Sequence, residues 1–85
     1  MRYKLEFTES ARRELRALDG QMRRRISTKL TELCEQPLPS GVKKLHGLQD
    51  HFRVRVGDYR VIYRVDGNRL VVVIVRIGHR RDIYR

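Results

Sequence analysis

The chain has 85 residues, material for one hydrophobic core and no second domain. Twenty Lys and Arg stand against ten Asp and Glu, a formal charge of +10 at neutral pH, and such an excess on so small a body favours a polyanion or an acidic protein as partner. The longest apolar run, Leu70 to Val75, is too short to span a bilayer and fits a buried strand, and the single cysteine, Cys34, excludes an intramolecular disulfide.

Arginine greatly outnumbers lysine, and its planar fork matches phosphate oxygens. No lysine-rich amphipathic helix faces large apolar residues, so a membrane surface ranks below nucleic acid or an acidic protein. The N-terminal residues carry no signal-peptide pattern, and a lone cysteine agrees with a reducing compartment, so the expected location is the cytoplasm.

In chain order, Tyr3, Leu5 and Phe7 alternate with Arg2, Lys4 and Glu6, predicting a strand with one buried face. Thr8 can cap a helix with the stripe Ala11, Leu15 and Leu18, ended by Asp19-Gly20. A second helix, from Asp19 or Gly20 to about Gln36, carries Met22, Ile26, Leu30 and Leu33 on one face before Pro37 stops it. The short join predicts a helical hairpin. Pro37 to Asp50 has the punctuation of a loop, with Leu38, Val42, Leu45 and Leu48 as candidate anchors.

"HFRVRVGDYRVIYRV", His51 to Val65, then reads as a β-hairpin about Gly57-Asp58. Folding it there pairs Val56 with Tyr59, Arg55 with Arg60, Val54 with Val61, Arg53 with Ile62, Phe52 with Tyr63 and His51 with Arg64. A further turn, Asp66-Gly67-Asn68, leads to a strand from Arg69 to about Ile77 that is apolar on both faces and therefore interior to its sheet. Two- and three-residue loops there would each place Arg76 differently. "GHRRDIYR", Gly78 to Arg85, is a polar tail. The expected fold is α+β, in the order strand-helix-helix-strand-strand-strand, a mostly antiparallel sheet with the helical hairpin on one face.

The hairpin's second face gathers Arg53, Arg55 and Arg60. Like charges directly opposite on a sheet are destabilising, so either water screens this face or an anion belongs on it; charge there also discourages edge-to-edge aggregation. In the tail, His79, Arg80, Arg81 and Tyr84 begin at an open end of the sheet. Tyr84 can stack on a base or meet a phosphate, or Ile83 and Tyr84 can tuck over the core edge.

There is no HExxH, paired CxxC or Gly-rich phosphate loop, so metal hydrolysis and nucleoside triphosphate binding lack support. His46, His51 and His79 are too scattered for a metal site, and Cys34 lies within a helix without an evident base. No metal or cofactor is expected. A phosphate site remains. Arginines can stabilise a phosphorane-like transition state, but RNA cleavage also needs proton transfer, for which Tyr84, its phenolate favoured by neighbouring positive charge, and His79 are candidates.

The stretches "FTESARRELRAL", "KKLHGLQDHFRVRVGDYRVIYRV" and "VRIGHRRDIYR" together resemble the RelE/ParE superfamily of toxin–antitoxin toxins, and within it the RelE branch, over nearly the whole chain. The resemblance implies one RelE-like toxin domain, residues 1–85. It implies a ribosome-dependent mRNA endoribonuclease that cuts in the A site by 2′-hydroxyl attack without metal, and that is silenced by an acidic RelB-type antitoxin wrapped around it. It implies contact with DNA only through the antitoxin complex. The family's phosphate-holding positions fall on Arg60 and Arg80 and its terminal aromatic on Tyr84, with His79 as a further acid–base candidate. Arg53, Arg55, Arg81, Lys43 and Lys44 would bind mRNA or rRNA phosphate. The best-known RelE pattern has lysines where this chain has Arg53 and Arg55, which shifts acid–base work towards Tyr84 or His79. Two other readings share the scaffold: a ParE-type toxin acting on DNA gyrase, and a weakly active toxin serving mainly as co-repressor.

Overall fold

The computed structural model describes residues 2–81. Its elements are β1 (Lys4–Phe7), α1 (Glu9–Ala17), α2 (Gly20–Glu35), β2 (Lys43–Lys44), β3 (His51–Val56), β4 (Tyr59–Asp66) and β5 (Val71–His79). The strands form one mixed sheet in the order β1-β5-β4-β3-β2. β1 runs parallel to β5, and the remaining neighbours are antiparallel. The α+β class, the two helices and the mostly antiparallel sheet are as the patterning predicts.

Helix boundaries follow from capping chemistry. Thr8 takes an extended backbone, and its Oγ1 accepts the Ala11 N–H at 3.1 Å while donating to the Val75 carbonyl at 2.8 Å. Asp19 repeats the device on α2, its carboxylate accepting the Met22 N–H at 2.9 Å. Each cap satisfies one of the N–H groups that a helix start leaves without a partner. Ala11 from α1 and Ile26, Leu30 and Leu33 from α2 join Val54, Val56, Val61, Tyr63, Val72, Ile74 and Ile77 in a single buried cluster, so both helices cover the same face of the sheet. Cys34 is buried at the end of α2, and burial pushes its thiol pKa up, which makes it a core residue rather than a nucleophile.

The β3–β4 register matches the predicted pairing at every rung. Gly57 takes φ +59°, the positive angle that the first turn residue of a type II′ hairpin needs. Phe52 and Tyr63 meet across the strands with ring centroids 5.9 Å apart.

Four details depart from the sequence expectation. The stretch read as a loop contains β2, whose Lys43 pairs with Arg53 and Lys44 with Phe52; two residues are too few to show a periodicity, and only the partner strand makes them a strand. Val42 packs on the core, but Leu38 and Leu48 are exposed, and the loop is instead tied by the Tyr63 hydroxyl donating to the Pro37 carbonyl at 2.6 Å. Leu5 is exposed as well, because it borders an open groove beside α2 that Thr31 and Cys34 also line.

The fourth departure is the β4–β5 turn, which is longer than expected. Asp66 pairs with Val71, leaving four residues between them. The Asp66 carboxylate accepts the Asn68 and Arg69 N–H groups at 3.1 and 3.0 Å, and Leu70 enters the left-handed region at φ +55°. The strand then carries a bulge: Tyr63 opposes Ile74 but Ile62 opposes Arg76, leaving Val75 as the extra residue. This irregularity lets both Ile74 and Ile77, three positions apart, face the core.

Because Thr8 joins β1, α1 and β5, Thr8→Ala is expected to destabilise the fold by about 1–2 kcal/mol. Urea denaturation should show a lower midpoint at unchanged slope; an unchanged midpoint would show that the cap contributes nothing.

Candidate anion-binding site

Burial of one hairpin face decides what the other must display. Val54, Val56, Val61 and Tyr63 point into the core, so pleat alternation sends Arg53, Arg55 and Arg60 to the opposite side. Arg55 and Arg60 form one rung, and Lys43 adjoins Arg53 from β2. These four cations, with Gly41 and Val54, line a cavity of about 170 Å³. It is smaller than a pocket for a drug-sized molecule. Its lining of convergent cationic side chains suits one anionic group on a chain that runs past it.

The end of β5 reaches the same region. Gly78 lies opposite Arg60, so β5 places no side chain directly across from that arginine. The ladder continues to Arg80, whose N–H donates to the Asp58 carbonyl at 2.9 Å. Arg80 is thereby anchored at the hairpin turn, next to the Arg55–Arg60 rung.

The remaining sequence-derived candidates are placed differently. Lys44 pairs with Phe52, which turns it away from Lys43 towards a surface cavity formed by residues 44–49. His79 opposes Tyr59, and the two rings meet edge to face with centroids 5.5 Å apart, on the sheet face away from the arginine cluster. Its Nδ1 accepts the Arg81 N–H at 3.2 Å, and Arg81 is exposed. The structure thus brings Lys43, Arg53, Arg55 and Arg60 together, sets Arg80 at their edge, and separates Lys44, His79 and Arg81 from them. Tyr84 lies outside the described residues.

Sequence reasoning did not foresee that Gly41, inside the stretch expected as a loop, would line the cavity; its φ of +89° is one that glycine adopts without steric cost. Nor did it single out Glu14, which ion-pairs with Arg76 at 2.9 Å. No periodicity or motif signals a contact between residues so far apart in sequence. Among the described residues no three His, Cys, Asp or Glu come together as a metal-binding group, and no helix is long and apolar enough to cross a membrane.

Comparisons with known proteins establish the family. A family model described as the ParE toxin of the type II toxin–antitoxin system parDE matches residues 5–84. Toxin RelG of Mycobacterium tuberculosis is 37% identical over 86 residues, spanning 100% of this chain and 99% of that protein. The mRNA interferase toxin RelE of Escherichia coli is 33% identical over 82 residues, spanning 94% of this chain and 85% of its relative. Among solved structures, the RelBE2 toxin–antitoxin complex of Mycobacterium tuberculosis contains a chain that superposes with a TM-score of 0.83 at 34% identity, covering 96% of this chain and 95% of that one. The chain belongs to the RelE/ParE toxin superfamily, as a RelE-type toxin of a toxin–antitoxin system.

The site's electrostatics make a test on the protein alone. With like charges sharing a rung, Arg55→Gln is expected to raise stability by up to about 1 kcal/mol at low ionic strength. The gain should shrink as salt screens the repulsion. Urea titrations at two salt concentrations measure it, and a loss of stability at low salt would show that the pair is not repulsive.

Proposed function

We propose that this toxin is a ribosome-dependent mRNA endoribonuclease that cuts in the A site and so arrests translation. The observation that carries the reading is the convergence of Lys43, Arg53, Arg55 and Arg60 on one small cavity, with Arg80 anchored at its edge. The relative named mRNA interferase supports it. In this scheme the cations seat the scissile phosphodiester and offset the negative charge that grows on its oxygens in the transition state. The adjacent 2′-hydroxyl attacks phosphorus: a 2′-O–P bond forms, the P–O5′ bond breaks, one proton leaves the 2′-oxygen and another reaches the departing 5′-oxygen. The scheme calls on no metal ion, because the guanidinium groups supply the positive charge. Arginine keeps its proton, and His79 faces away from the cluster, so proton transfer falls chiefly to Tyr84. The ribosome supplies the alignment of the 2′-oxygen with the phosphate.

The partner that silences the toxin is an acidic RelB-type antitoxin, for which the charge of +10 and the solved complex of a RelE-type relative both argue. It reaches DNA only through that antitoxin, and it acts in the cytoplasm, where ribosomes are.

Toe-printing of mRNA on programmed ribosomes with the purified protein tests the reading. A-site cuts are expected, and Arg60→Ala or Arg80→Ala should each slow cleavage by about 10²–10³-fold while leaving antitoxin binding largely intact. Intact mRNA, together with inhibited gyrase supercoiling, would instead place the activity with ParE-type toxins, the second reading that the family model favours.

A further inference from the structure

β1 pairs with β5 only as far as Phe7 opposite Ile74, yet β5 continues to His79. Among the described residues no strand lies along its outer edge beyond Ile74, and bare edge groups need partners. Thr8 and α1 supply them. The Thr8 N–H donates to the Ile74 carbonyl at 2.9 Å and the Thr8 hydroxyl to the Val75 carbonyl at 2.8 Å. Glu14 Oε1 then accepts the Ile77 N–H at 2.8 Å, while Oε2 accepts from Arg76 Nε at 3.0 Å and lies 2.9 Å from its Nη2. One carboxylate grips the backbone and the side chain of two consecutive residues.

Those residues directly follow the bulge at Val75. On the inner side of β5 the bulge sets Arg76 opposite Ile62 and Gly78 opposite Arg60. Continuing the Tyr63–Ile74 register without the extra residue would set Ile77 opposite Arg60, and a one-residue slip exchanges the two faces. A branched apolar side chain would then stand against the cation cluster, and Arg80 would move off Asp58.

We propose that Glu14 is a positioning residue for the anion site: by holding Arg76 and Ile77 it keeps the last part of β5 in the bulged register that leaves a glycine beside Arg60 and anchors Arg80 at the hairpin turn. This rests on the reading of Arg60 and Arg80 as phosphate-binding residues. Glu14 touches no substrate, and it acts through the strand.

Three full-length variants separate this role from a charge effect or a general loss of stability. Glu14→Met keeps the side-chain stem but removes the acceptor. Glu14→Gln keeps an amide carbonyl for the Ile77 N–H, and Arg76→Ala removes only the ion pair. Two readouts are needed: single-turnover mRNA cleavage on programmed ribosomes, resolved into the saturating rate constant and the half-saturating ribosome concentration, and amide hydrogen exchange at Ile77 and Arg80. Glu14→Met is expected to lower the saturating rate constant by about 10- to 100-fold, with half-saturation unchanged and exchange faster at both amides. Glu14→Gln and Arg76→Ala should stay within about threefold of the unmodified protein, the former as rescue by an acceptor of the same shape. The proposal is overturned if Glu14→Met cleaves at the original rate with Arg80 equally protected, if the defect lies only in half-saturation, or if that variant does not fold. Should the unmodified protein fail to cut mRNA, the nuclease reading falls, and exchange at Arg80 in Glu14→Met alone decides the role of Glu14.

Discussion

Burial of Val54, Val56, Val61 and Tyr63 fixes the register of β3 against β4, and that register leaves Arg55 no place except opposite Arg60. Full burial of an apolar side chain of this size contributes about 1.5–3 kcal/mol, whereas a like-charged rung costs up to about 1 kcal/mol. The core term is the larger, so the register holds against the like-charged pairing. A slip of one residue would relieve it only by turning the core residues into water. The candidate anion site is thus built by the same alternation that builds the core.

The rest of the sheet serves that rung. β2 adds Lys43 beside Arg53, and β5 contributes a residue without a side chain at the position facing Arg60. Arg25 of α2 lies over the turn, close enough that a Cβ on Gly57 would sit 3.2 Å from its guanidinium. That guanidinium lies against the turn at which Arg80 is anchored. A site assembled from three strands and a turn is held more precisely than one built on a loop, which suits the electrostatic preorganisation that the proposed nuclease would rely on.

Much of this arrangement was legible in the sequence because it is local. Thr8 and Asp19 announce their helices by side-chain chemistry, and Gly57-Asp58 sets a hairpin whose pairs can be counted outward from the turn. The parts that escaped are those decided by contacts between distant residues. β2 exists only because β3 lies beside it. The bulge at Val75 arises from the need to bury both Ile74 and Ile77, and without it His79 cannot be assigned a face, so its separation from the arginines was invisible. Glu14 was one carboxylate in an arginine-rich helix until the end of β5 was seen to lie against it. The motif resemblance offered nine candidate residues, and it is the register that brings Lys43, Arg53, Arg55 and Arg60 of them to one cavity.

The central proposal is that the Arg55–Arg60 rung binds a phosphate. Its most direct test is to follow the arginine Nε–H resonances of the free toxin by two-dimensional NMR at low salt, while adding a short RNA whose 2′-oxygens are methylated so that it cannot be cut. The account predicts saturable shifts at Arg53, Arg55 and Arg60, abolished when Arg60 is replaced by alanine. Shifts confined to arginines of the helices, such as Arg12 and Arg16, with the hairpin set unmoved, would contradict it.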